Sequence, residues 1–148
     1  MPVEVFQDAR ERVRLTVLGG VVRPEELRAL GSIYGDRKRF DPNARAFVHL
    51  QPNAEVGAID VDDLLELDAA MMEGFSNDRD VDIQVAVVAD TTRALPAMRL
   101  WREISRVQTL YTLAYTLFTN FADAVDWHGL GPHWTDRLAK RDGLIQVL

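Results

Sequence analysis

The chain has no cysteine among its 148 residues, which excludes disulfide bonds, thiolate nucleophiles and cysteine-ligated metals. Basic residues are also in deficit, because 17 lysines and arginines stand against 23 acidic residues and give a formal net charge of -6. A surface of that sign repels a phosphate backbone unless its basic groups are segregated on one face. We therefore expect a domain in a reducing compartment, with the cytoplasm as the default location, and no nucleic-acid partner.

Long apolar runs are missing as well. No stretch of about 18 consecutive apolar residues occurs, and no basic region followed by an apolar segment opens the chain. The sequence therefore predicts neither a transmembrane segment nor export. A chain of 148 residues fits one domain, which buries roughly 70% of the surface that its unfolded form exposes.

Serine and glycine motifs that support catalysis or phosphate binding are absent. Ser32, Ser76 and Ser105 each lie within or at the end of a predicted helix, and no Gly-x-Ser-x-Gly elbow surrounds them. The Gly19-Gly20 pair follows a predicted strand, but it lacks the further glycines and the Gly-Lys-Ser/Thr ending of phosphate loops. We expect no serine hydrolase, and we interpret the glycine pair as a turn.

The sequence also contains few metal ligands. His128 and His133 are five residues apart rather than four, and the alternating aspartates at 78–82 meet Ile83 where a calcium loop requires glycine. His49 lies among apolar neighbours, which is typical of a hydrogen-bonded core histidine and leaves a general base as the alternative. We predict no metal site and no cofactor.

What the chain does have is a regular alternation of strand and helix patterns. Apolar or alternating runs predict strands at residues 3–6, 13–18, 46–50, 83–89 and 111–118. The first two are predicted to form a hairpin, and an apolar stripe at helical spacing follows the second strand and each later strand. The order predicts an α/β fold, with a mixed, mostly parallel sheet of about five strands flanked by about four helices.

Ligands of such open sheets bind at the carboxyl ends of the strands. Gln51 follows the third predicted strand, and Asp90, Thr91 and Thr92 follow the fourth. One carboxylate and two hydroxyl groups beside a helix amino end suit a bound anion, and helix capping explains the same residues without a ligand. We keep all four as candidate ligand-binding residues and predict no catalytic residue.

Three large side chains complete the candidate ligand-binding set. Met71, Met98 and Trp101 recur at helical spacing, and methionine adapts to ligands of varied shape. They predict an apolar pocket, with ordinary core packing as the alternative.

Two stretches carry a family resemblance. Residues 47–50 (Phe-Val-His-Leu) with 58–64 (Ala-Ile-Asp-Val-Asp-Asp-Leu), and residues 118–127, ending in Asp-Ala-Val-Asp-Trp, are similar to segments of STAS-like domains. This family includes the bacterial anti-sigma-factor antagonist SpoIIAA, and the second stretch resembles an uncharacterised SpoIIAA-like branch. The likeness covers about residues 1–130 and implies a single SpoIIAA-like (STAS-type) α/β domain.

The resemblance implies a binding role. Asp60 matches the family pattern, but Val61 occupies the place of the phosphorylatable serine, so we expect no serine-phosphorylation switch. The family implies a non-catalytic module that binds a partner protein or a small apolar, lipid-like ligand. The alternative is a small cytoplasmic enzyme with an acid/base site at the carboxyl ends of the strands, where Asp90 or His49 would act.

The remaining residues, 131–148, form a C-terminal tail. Its apolar side chains would fray and associate with other surfaces if they stayed undocked. These side chains are Trp134, Leu144, Ile145, Val147 and Leu148. We expect the tail to pack on its own domain or on a partner subunit, and the second arrangement would make a homodimer.

Overall fold

The computed structural model describes residues 2–36, 38–39, 41, 43–74, 81–89, 96, 99–100, 102–103 and 111–148. The strands are β1 (Val3–Asp8), β2 (Val13–Leu18), β3 (Arg45–Leu50), β4 (Val81–Ala89), β5 (Tyr111–Phe118) and β6 (Ile145–Gln146). The helices with both ends described are α1 (Pro24–Tyr34), α2 (Val61–Gly74), α3 (Phe121–Trp127) and α4 (His133–Lys140). In these ranges no helix has the length and apolarity needed to cross a membrane.

The strands form one mixed sheet in the order β5-β4-β3-β2-β1-β6. β1 and β2 make the predicted antiparallel hairpin, whereas β2, β3, β4 and β5 run parallel. The predicted α/β class and the mostly parallel sheet are therefore confirmed. The sheet has a sixth strand, because β6 pairs with β1 through Phe6–Gln146 and Gln7–Ile145. A two-residue strand is too short to give a period-2 pattern, so the sequence did not predict it.

Helices cover both faces of the sheet. Side chains alternate between the faces of each strand, so Val48 packs with α1 and α2 while its neighbour Phe47 packs with α3 and α4. Right-handed crossovers between parallel strands in sequential order place their helices on the same face. For this reason α1 and α2 lie side by side, and the opposite face is left to the helices that follow β5.

Local capping fixes where two of the helices begin. The Asp60 side chain accepts a hydrogen bond from the Asp63 backbone N–H at 3.0 Å, and Asp63 accepts from the Asp60 N–H at 3.0 Å. Asn120 Oδ1 accepts from the Asp123 N–H at 2.8 Å. The reciprocal Asp60–Asp63 pair satisfies two backbone donors, and the Asn120 cap satisfies one of the backbone donors that a helix leaves free at its first turn.

The C-terminal residues pack on the chain's own sheet. Trp134 and Leu138 are 2% and 1% exposed, in the core beneath α3 and α4. Val147 N–H donates to Val5 O at 2.8 Å, which extends the sheet at its β1 edge. Arg137 Nη2 also lies 2.9 Å from Asp8 Oδ2. A homodimer through this tail stays a prediction.

Candidate functional site

The carboxyl edge of the sheet brings two loops into contact. A Cβ placed on Gly19 would overlap Gln51 Oε1, so Gln51 occupies the space above the end of β2. Gln51 N–H donates to Leu18 O at 2.9 Å, and Glu55 N–H donates to Gly20 O at 2.8 Å. Gly20 has a φ of 63°, a backbone conformation that favours glycine, which confirms the predicted turn.

The structure describes two of the seven predicted ligand-binding residues. Gln51 is partly buried at this edge, whereas Met71 is 1% exposed within the core under α1 and α2. For Met71 the structure thus shows core packing, which was the alternative to its predicted place in an apolar ligand pocket. The others lie outside the described residues: Asp90, Thr91, Thr92, Met98 and Trp101.

An apolar cavity lies between the sheet and the two helices α1 and α2. Its volume is about 50 Å³, and its walls include Leu27, Val48 and Leu67. The hydroxyl groups of Thr16 and Tyr34, which also line it, are 3.1 Å apart and hydrogen-bonded to each other. Sites for small organic ligands usually measure about 300–1,000 Å³. In its present form this cavity is too small for a lipid-like molecule.

A larger groove, of about 410 Å³, runs along the outer surface between α1 and α2. We call it the helix groove. Its floor is formed by apolar and small residues: Leu27, Gly31, Leu67 and Ala70. Its charged lining residues are Arg28, Asp63, Glu66 and Glu73. The groove is therefore lined by three carboxylates and one guanidinium group, and Arg28 Nε lies 3.4 Å from Glu66 Oε1 in an exposed ion pair.

Close helix packing at Gly31 shapes the helix groove. A Cβ on Gly31 would lie 3.3 Å from Ala70 Cβ, so the helices approach closely at a position without a side chain. Sequence reasoning missed this groove because each helix pattern showed only its own buried stripe. The available signal was a glycine inside the α1 pattern, where glycine costs about 1 kcal/mol relative to alanine and often has a packing reason.

The opposite, amino edge of the parallel strands carries a polar cleft of about 360 Å³. We call it the amino-edge cleft, and its lining residues are Arg12, Asn43, Ala44, Arg45 and Gln84. Arg12 donates to both carboxylate oxygens of Asp41, at 2.6 and 2.9 Å. These hydrogen bonds hold the pKa of Asp41 below its ordinary value, so the carboxylate stays ionised.

His128 lies buried near this edge. Its Nε2 donates to Ala46 O at 2.8 Å, because a carbonyl oxygen only accepts, and its ring lies between Phe47 and Trp127. Nδ1 has no hydrogen-bond partner within the described ranges. Burial lowers the pKa of His128, which favours a neutral structural imidazole. His49 is partly buried and packs edge-on against Phe121, with ring centroids 4.9 Å apart.

The buried imidazole predicts a loss of stability in mild acid. The folded-state pKa of His128 lies below the ordinary value of 6.5, so the unfolded chain binds a proton there first as the pH falls. Its contribution is complete above pH 6.5 and declines by up to about 1.4 kcal/mol per pH unit as the pH falls toward the folded-state pKa.

Urea denaturation at pH 7.5 and at pH 5.5 measures this effect. We expect His128→Gln, which keeps a side-chain N–H donor, to lose less stability between the two pH values than the parent protein. His133→Gln removes an exposed imidazole and is the matched control. Equal losses in the parent and in His128→Gln would contradict the prediction.

Among the described residues no group of three or more histidine, aspartate or glutamate side chains is placed to hold a metal ion. Comparisons with protein-family models, with curated proteins and with solved structures found no match.

Proposed function

We propose that this protein is a non-catalytic, SpoIIAA-like interaction module whose helix groove binds a cationic, amphipathic segment of a partner protein. One observation carries the proposal. The groove combines an apolar floor at Gly31 and Leu67 with an acidic lining at Asp63, Glu66 and Glu73. A partner helix with apolar side chains on one face and lysines or arginines beside them matches both features.

The apolar floor supplies part of the expected affinity. Leu27 and Leu67 are only 8% and 5% exposed, so the floor offers a partner little further apolar surface to bury and its contribution to the affinity is small. Helix-in-groove recognition of this kind depends on apolar anchors at helical spacing. We therefore expect the groove to bind the partner helix with modest affinity. The charged residues around it would determine which partner helices bind.

The acidic lining supplies the specificity. Asp63 is partly buried and held by the Asp60 cap, whereas Glu66 and Glu73 are exposed and follow it on α2 by about one and about three turns. Complementary charge raises the association rate and disfavours partners of the wrong sign. Acidic partner segments are thus excluded from the helix groove.

The other candidate roles have less support in the described residues. The 50 Å³ cavity under α1 and α2 is smaller than a lipid-like ligand requires. The enzyme alternative placed an acid or base at Asp90 or His49, and His49 packs against the Phe121 ring. Val61, at the family's phosphorylation position, is 46% exposed and has no acceptor oxygen, so the proposal includes no phosphorylation switch.

Reversing the charge of the groove tests this proposal. The probe is a synthetic 16-residue helical peptide with leucines at i, i+4 and i+7 and flanking lysines, compared with the same peptide carrying glutamates. We expect the parent protein to bind only the cationic peptide. The double variant Glu66→Lys/Glu73→Lys should weaken that binding by about tenfold, because two attractive contacts become repulsive.

The matched control is Asp126→Lys/Asp142→Lys, which makes the same change in net charge at two exposed positions outside the groove. Fluorescence anisotropy gives the dissociation constants, after circular dichroism has established that every variant is folded. An equal loss of affinity in the two double variants would reduce the effect to net charge and would refute the groove assignment. Failure of the parent to bind the cationic peptide would refute it as well.

A further inference from the structure

We infer that the amino-edge cleft is a binding site for a small molecule that carries an oxyanion, either a phosphate or a carboxylate group. The inference is independent of the proposed function, because the cleft shares no lining residue with the helix groove. Its lining includes the guanidinium groups of Arg12 and Arg45 and the side-chain amides of Asn43 and Gln84, all of which can donate hydrogen bonds.

Sheet register brings these side chains together. Val13 pairs with Arg45, and Ala46 pairs with Val85 on the next strand. Arg12 directly precedes β2, Arg45 opens β3, and Gln84, the fourth residue of β4, lies level with Arg45. Arg45 N–H donates to Arg12 O at 2.8 Å, which ties the hairpin turn to the start of β3.

Several donors facing the cleft are uncommitted. Among the described residues, Asp41 accepts from Nε and Nη2 of Arg12, which leaves Nη1, and Arg45 donates from Nε alone, to His128 O at 3.0 Å. In the described part of the chain no hydrogen bond engages the side-chain amides of Asn43 and Gln84. Guanidinium groups suit phosphate and carboxylate oxygens, and carboxamides suit the neutral polar groups beside them.

The described lining of the cleft carries two guanidinium groups, those of Arg12 and Arg45, and no carboxylate, although the chain has a net charge of -6. The carboxylate of Asp41 lies beside the cleft and is paired with Arg12. The buried Arg14 donates to Asp41 O at 2.9 Å. Asp41 directs its carboxylate to Arg12 and accepts the Asn43 backbone N–H at 3.0 Å. The ion pair thus holds Arg12 in place before a ligand arrives.

The sharpest test adds a positive or a negative charge at one exposed position in the cleft, Gln84. Gln84→Lys adds a cation to the cleft, and Gln84→Glu adds an anion, without removing a hydrogen bond that the structure describes. We expect the first to tighten oxyanion binding by about fivefold and the second to weaken it by about fivefold. Thr119→Lys and Thr119→Glu make the same charge changes at the carboxyl edge of the sheet and serve as controls.

The probes are inorganic phosphate and succinate, titrated separately and followed by ¹⁵N–¹H NMR of the backbone and of the arginine Nε–H groups. Saturable binding of phosphate alone would assign a phosphate ligand, and saturable binding of succinate alone would assign a carboxylate. Either result supports the site if the Gln84 variants move the affinity in opposite directions and the Thr119 variants do not. Equal responses at the two positions, or no saturable binding of either probe, would overturn it.

Discussion

Replacing Trp134 with alanine will lower the free energy of unfolding by about 3–5 kcal/mol, the usual cost of removing a large buried aromatic side chain. The indole is 2% exposed and packs in the core with Phe47 and Leu15. The Arg137 guanidinium also lies 4.0 Å from the centre of its ring. Urea denaturation measures the change directly, at a pH above 7 where the neutral form of His128 is retained.

Trp127→Ala is the matched control, since that indole is 38% exposed. We expect it to destabilise the protein by less than half as much, because much of its surface already contacts solvent. If Trp134→Ala were as mild as the control, residues 133–148 would be an appendage rather than part of the folding unit. The packing of α4 and β6 on the sheet predicts the opposite.

Met71→Ala is expected to cost about 2–5 kcal/mol of unfolding free energy, because it leaves a cavity in the core. Met71 is 1% exposed and belongs to the cluster formed by α1, α2 and one face of the sheet. Its neighbour Met72 is only partly buried, so Met72→Ala is the control and should cost less. Thermal and urea denaturation of the two variants provide the comparison.

This pair of variants separates two roles for Met71. A core methionine determines stability, whereas a methionine that lines a ligand pocket can be truncated with a smaller loss and changes binding instead. A small change for Met71→Ala together with a large one for Met72→Ala would contradict the core placement. It would also restore the apolar-pocket interpretation of the α2 sequence.

Periodic patterns predicted most of the fold. The apolar run at residues 83–89 predicted a strand, and β4 lies there, paired with both β3 and β5. The side-chain oxygens of Asp60 and Asn120 cap α2 and α3, and both residues directly precede an apolar stripe, a local signal of a helix start. A strand or a helix start depends on a few consecutive residues, so the sequence alone was sufficient to predict where these elements lie.

The two surface sites depend on contacts between distant residues. The helix groove requires Gly31 of α1 to meet Ala70 of α2, and neither residue has a pattern that identifies the other. The amino-edge cleft requires the register that places Gln84 beside Arg45. Single-sequence reasoning instead directed attention to the carboxyl edge, because ligand sites in open sheets usually lie there.

The central claim is that the helix groove is the partner-binding surface, and an ¹⁵N–¹H NMR titration with the cationic peptide tests it most directly. We predict that the largest changes in backbone amide chemical shift occur in residues 24–35 and 61–74, which form α1, α2 and the groove between them. They should disappear in the Glu66→Lys/Glu73→Lys variant. Shift changes concentrated instead at the carboxyl edge or in residues 133–148, or no saturable change anywhere, would contradict the account.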